Sequence, residues 1–128
     1  MEWLKVKEVI IIFTNKEYYD ILETEYSEKF DVIRKHAMVM SYYKYGPLQE
    51  NYKTKKTIDA IKSLEKRLAK YKETGNTEFL ADVANFAMIE FMNPQLPGAH
   101  YQATDSRESP GVHGMGVNEI KAFQECEK

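Results

Sequence analysis

The stretch Glu78-Phe79-Leu80-Ala81-Asp82-Val83-Ala84-Asn85-Phe86-Ala87-Met88-Ile89-Glu90-Phe91-Met92 decides the fold. It is apolar nearly all round, the pattern of a helix enclosed by protein rather than one lying on a surface. Its polar exceptions therefore stand out. Glu78, Asp82 and Asn85 fall at i, i+4 and i+7 and so line one edge of the helix.

Working backwards, Asn76 or Thr77 caps this helix, and Gly75 supplies the left-handed residue that ends the one before it. The preceding helix, about 55–73, starts from a Thr54 or Thr57 cap. Its inward stripe is Ile58, Ile61, Leu64 or Glu65, Leu68 and Tyr71, with lysines spread over the outside. The short connection makes helices 55–73 and 77–92 an antiparallel hairpin.

Further upstream, Thr14-Asn15-Lys16-Glu17 has the form of a capping box. From there Tyr19, Leu22, Tyr26, Phe30, Ile33, Ala37, Met40 and Tyr43 recur at helical spacing, which predicts one helix over about 15–45, ended by Gly46-Pro47. Residues 48–53 read as a loop. The run Val9-Ile10-Ile11-Ile12-Phe13 is too short for periodicity to separate a short N-terminal strand from a buried helix.

Downstream, Asn93-Pro94 closes the apolar helix. Residues 94–117 then hold the remaining prolines and most of the glycines without helical or strand period, as a strap over the core or a functional loop would. Asn118 caps a short last helix, 118–126. The expected fold class is all-α: an antiparallel helical bundle (1–93), with a long Pro/Gly-containing C-terminal loop and short helix (94–128) packing on the same domain.

Composition narrows the class of function. The chain's 128 residues suit one domain, and 43% hydrophobic with 12% aromatic residues exclude a disordered chain. Eighteen Lys and Arg against twenty Asp and Glu give a formal charge of -2, so bulk nucleic-acid binding is disfavoured. The lone cysteine, Cys126, argues against a disulfide scaffold and for a cytoplasmic protein. The apolar run at 9–13 is too short to span a bilayer and is not flanked like a signal peptide, so no membrane partner is expected.

The edge Glu78, Asp82, Asn85 has two physical readings. Carboxylates one turn apart suit a hard cation such as Mg²⁺, which takes oxygen ligands and commonly shares them with substrate phosphates. Equally, Asp82 and Asn85 could bond neighbouring backbone, as buried polar groups must, while Glu78 favours a helix N-terminus. A second cluster, Lys44, Lys53, Lys55 and Lys56 with Tyr42, Tyr43, Tyr45 and Tyr52, could meet a phosphate and stack a base, or be a solvated lysine face over core tyrosines.

In the tail, Thr104-Asp105-Ser106-Arg107-Glu108-Ser109-Pro110-Gly111 reads as turns before it reads as a ligand loop. His36, His100 and His113 are too scattered for a zinc motif. No phosphate-binding glycine loop or nucleophile elbow is present.

Acidic residues on two antiparallel helices, followed by the apolar Asp82-Val83-Ala84-Asn85 run, resemble the MazG-like all-α nucleoside triphosphate pyrophosphohydrolases. That family's signature is Glu-x-x-Glu, a spacer, then Glu-x-x-Asp. The corresponding stretches here are Lys62-Ser63-Leu64-Glu65 and Phe79-Leu80-Ala81-Asp82, so Lys62 and Phe79 replace two of the four carboxylates and Glu78 lies one position off. The likeness covers about residues 28–92, and 71–92 also looks like small phage- and prophage-borne proteins of this general type.

The resemblance implies a nucleotide-binding protein with Mg²⁺ held by Glu65, Glu78 and Asp82, the same residues serving catalysis. Lys44, Tyr45, Lys62 and Asn85 would contact the substrate, Asn85 also supporting the metal ligands. Intact members release a nucleoside monophosphate and pyrophosphate; a site short of two ligands implies weak hydrolysis or binding alone. From a different class, a non-catalytic, phage-type interaction protein would use the same hairpin as the core of a homo-oligomer, which would also cover the apolar helix.

Overall fold

The computed structural model describes residues 2–6, 9–54, 58–104 and 121. Two compact units emerge, Met1–Tyr19 with His100–Lys128, and Asp20–Ala99. The second unit extends beyond the apolar helix. There the Glu90 carboxylate accepts from the backbone N–H of Gln95 at 2.7 Å, tying the following turn to the helical unit.

In the first unit, β1 (Glu2–Val6) and β2 (Val9–Phe13) pair antiparallel, with Glu2 opposite Phe13 and Val6 opposite Val9. The β-branched run thus takes the extended backbone its residues favour. Next, α1 (Asn15–Glu25) opens on the reciprocal capping box: the Glu17 N–H donates to Thr14 Oγ1 at 3.1 Å and the Thr14 N–H to Glu17 Oε2 at 3.4 Å.

The single helix expected over 15–45 is two helices. Ser27 has extended backbone and its hydroxyl accepts the Phe30 N–H at 3.0 Å, so α2 (Glu28–Tyr45) has its own N-cap. The Tyr26 hydroxyl bridges the break to Asp31 at 2.5 Å. Apolar spacing runs across a two-residue interruption without registering it, which is why the period alone joined the two. Gly46, at φ 86°, ends α2, its N–H donating to Tyr42 O.

The connection expected as loop contains one π-helical turn, Glu50–Thr54, which buries Tyr52. The next helix, α3 (Ala60–Thr74), starts later than about 55, and its N-cap is neither Thr54 nor Thr57 but Asp59. The Asp59 side chain accepts the Lys62 N–H at 3.0 Å. Starting at a buried Ala60 turns the inward face so that Ile61 is left 42% exposed. Gly75, at φ 72°, closes α3; Thr77 holds the N-cap position of α4 (Glu78–Met92) without a side-chain bond, and the Asn76 side chain accepts the Glu78 N–H at 3.0 Å.

The second unit is therefore an all-helical bundle, and α4 is its hub, packing against both α3 and α2. The α3–α4 hairpin is antiparallel. Phe30 and Ile33 share a cavity with Leu80 and Ala81, and further along both helices Arg34 meets Asn85, so α2 and α4 run in the same direction. The core is Tyr52, Ala60 and Ile89, with Met38, Leu48, Ile58 and Phe86 packed on it.

The apolar helix is not enclosed on all sides. Ala81, Asn85 and Ile89, four residues apart, are its buried edge, whereas Phe91 is 73% exposed. Two packed helices cover two flanks of a cylinder and leave the rest to solvent. Residues 105–120 and 122–128, and with them most of the 94–117 loop, the 104–111 turn cluster and the short helix 118–126, lie outside the described residues. No helix among the described residues is long and apolar enough to cross a membrane.

Candidate functional site

Because α2 and α3 each pack on α4, a groove opens between them with α4 as its floor. Its volume is about 570 Å³. Helical spacing sets the lining. Asp82, Asn85, Phe86 and Ile89 are one face of α4; Asp59, Ser63 and Arg67 recur every fourth residue along α3; Met38, Ser41, Tyr42 and Tyr45 face in from α2. Leu48, Asn51 and Ile58 close one end. The Asn51 amide is held by donating to Tyr45 O at 2.6 Å.

The charged part of the wall is the pair Arg67 and Asp82. Arg67 Nη1 lies 3.5 Å from Asp82 Oδ2, joining α3 to α4. The guanidinium also sits over the Phe79 ring, 5.8 Å from its centroid. Burial raises the Asp82 carboxyl above its ordinary range; Arg67 opposes this and the like charge of Glu78 adds to it.

Asn85, on the groove floor, is 6% exposed. Its Oδ1 accepts from Arg34 Nε at 3.2 Å and its Nδ2 donates to the Arg34 carbonyl at 3.1 Å. The amide thus clasps α2 to α4. Of its two readings from sequence, bonding to neighbouring backbone is the one these contacts match.

Of the residues drawn from the sequence as site candidates, the groove gathers Asp82, Asn85 and Tyr45. Glu65, Lys62 and Lys44 are exposed and line no part of it. Glu78, in the first turn of α4, borders a separate cavity of about 410 Å³ with Phe30, Ile33 and Leu80. Among the described residues no three His, Cys, Asp or Glu side chains converge as a metal site requires. Glu65, Glu78 and Asp82 are thus not brought together as one group: Asp82 lines the groove, Glu78 the other cavity and Glu65 neither. The helical register explains this, because Glu65 lies off the Asp59, Ser63, Arg67 face that α3 turns to the groove.

Sequence reasoning missed Arg67, Ser63, Ser41 and Phe86. A signal for Arg67 existed: Arg67 and Asp82 are equally far from the Thr74-Gly75 turn, so an antiparallel hairpin sets them opposite each other. Tyr52, the most deeply buried large side chain, donates its hydroxyl to Glu90 and fixes the π-helical turn against the end of α4. In comparisons with known proteins, no family, no characterised protein and no solved structure matches this chain.

Proposed function

We propose that this chain binds a small phosphorylated ligand of nucleotide type in the groove between α2, α3 and α4. The observation that carries this reading is Arg67, a guanidinium on the wall of an otherwise largely apolar cavity of about 570 Å³, a usual size for a small-molecule site. Tyr42, Tyr45 and Phe86 supply aromatic faces for a planar ring, while Ser41 and Ser63 supply hydroxyls. The resemblance to the MazG-like enzymes points to the same ligand class. What the groove supports is binding; among the described residues no three His, Cys, Asp or Glu side chains converge.

The test is thermal denaturation with nucleoside triphosphates, monophosphates and free nucleosides, each with Mg²⁺ and with EDTA, alongside an assay for pyrophosphate. A rise in melting temperature with triphosphate in EDTA, without pyrophosphate release, supports a binding protein. Mg²⁺-dependent release would restore the enzyme. No shift with any of the compounds removes the reading.

A second reading, a homo-oligomeric interaction protein, is favoured by one observation. Val32, Val39 and Tyr43 on α2, and Phe91 and Met92 on α4, are all more than half exposed. Sedimentation of the purified chain tests it: a monomer at all concentrations refutes it.

A further inference from the structure

We propose that Arg67 is the residue that grips the ligand's phosphate and that Asp82 holds it in reserve, occupying the guanidinium until an anion displaces it. This deepens the ligand-binding reading above and rests on it. Both side chains line the groove, with Arg67 46% and Asp82 28% exposed, so the pair meets the cavity and is reachable from solvent. Its geometry is that of a loose pair. Asp82 engages the single nitrogen Nη1, at 3.5 Å, where a strong Arg–carboxylate fork would present two parallel bonds below about 3 Å. Partly exposed pairs of this kind contribute little net stability, so a better anion can replace the carboxylate at small cost.

Three further features make the exchange directional. The Phe79 ring beneath the guanidinium keeps it at the groove wall when Asp82 releases it, so Arg67 needs to rotate rather than travel. A phosphate offers three acceptor oxygens and more charge than a carboxylate, and it matches the planar five-donor fork. Among the described residues that line the groove, Arg67 is the one cation. The other lining carboxylate, Asp59, is engaged as the cap of α3.

The proposal reverses the sign expected of a metal ligand. If Asp82 held Mg²⁺ for the ligand, Asp82→Asn would weaken binding; as a stand-in for phosphate, its loss frees Arg67 and tightens binding. The experiment is calorimetric titration of the full chain with inorganic tripolyphosphate in EDTA, for the unmodified protein, Arg67→Gln, Arg67→Lys and Asp82→Asn, with far-UV circular dichroism confirming folding.

Arg67→Gln should weaken binding by about tenfold or more, the scale of a lost charged hydrogen bond. Arg67→Lys, which keeps the charge without the fork, should fall between. Asp82→Asn should tighten binding by roughly threefold to tenfold, the scale of a partly exposed ion pair removed as competitor. Weaker or unchanged binding by Asp82→Asn overturns the proposal, as does an Arg67→Gln protein with undiminished affinity. If a nucleotide still binds Arg67→Gln as tightly as the unmodified chain, the groove stands as a ligand site and only this inference falls. If neither tripolyphosphate nor any nucleotide binds the unmodified chain, both fall together.

Discussion

Arg34 and Asn85 hold each other twice: the Arg34 Nε donates to the Asn85 side-chain oxygen, and the Asn85 amide donates back to the Arg34 carbonyl. The guanidinium also reaches Asp31 at 3.6 Å and lies over the Phe30 ring at 5.8 Å. One asparagine thus meets both a side chain and the backbone of α2. The clasp is the polar part of the contact between α2 and α4, beside the packing of Met38 on the core around Ile89.

Asn85→Ala should lower stability by about 1–3 kcal/mol, because it removes two part-buried hydrogen bonds between α2 and α4 and takes one acceptor from the Arg34 guanidinium. Urea denaturation measures it. A loss below about 0.5 kcal/mol, the range of an ordinary surface change, would show that the clasp does not hold the helices together.

Tyr52 and Glu90 should shape the pH dependence of stability from both ends. The Tyr52 hydrogen bond and the backbone N–H groups of Gln95 and Leu96 hold the Glu90 carboxyl below its ordinary 4.5. A depressed acid contributes stability that is present above 4.5 and lost as pH falls through the lowered value. Burial, followed by the bond to Glu90, raises the Tyr52 phenol above 10.0, so its contribution is complete below pH 10.0 and lost as pH rises beyond it. Tyr52→Phe should weaken both limbs and cost about 1–2 kcal/mol near neutrality, the alkaline remainder coming from Tyr26, whose bond to Asp31 also raises its phenol. Thermal melts across pH check this; an alkaline limb of undiminished size in Tyr52→Phe would refute it.

Asp82 has the opposite sign to Glu90. Its carboxyl is raised above the ordinary 3.8, so its ionised form is disfavoured on folding and subtracts stability at neutral pH. Asp82→Asn should therefore leave the melting temperature of the unliganded protein unchanged or higher at pH 7, with the difference disappearing as pH falls toward 3.8. A lower melting temperature at pH 7 would mean that the Arg67 pair outweighs the burial of the carboxylate.

Ser27 decides that α1 and α2 are separate helices. Ser27→Ala should cost about 1 kcal/mol, the usual loss for an N-cap, whereas Ser27→Asp should retain the cap. Chemical denaturation of both variants gives the comparison, and equal stability of Ser27→Ala and the unmodified chain would contradict the capping role.

Local chemistry was legible wherever a single residue or a short spacing settles a backbone choice. Thr14 and Glu17 form their capping box, Gly46 and Gly75 end helices at positive φ, and the apolar run from Glu78 is one helix ending at Met92. The break at Ser27 and the Asp59 cap escaped because apolar periodicity reports which face is buried, not where the backbone restarts. The family likeness also carried Glu65 and Lys62 into a site from which the register of α3 excludes them.

What the sequence by itself determined is the helical class of residues 20–99, the α3–α4 hairpin, and the presence on one edge of α4 of the polar pair Asp82 and Asn85. Those follow from interactions within a few residues, where propensity, capping and period act directly. Only the tertiary structure decided what that edge does. It paired Asp82 with Arg67, spent the Asn85 amide on Arg34, and left a groove where α2 and α3 both chose α4 over each other. The partner of a side chain across two helices depends on their relative rotation, and a shift of one residue turns a helix by about 100° and replaces every partner.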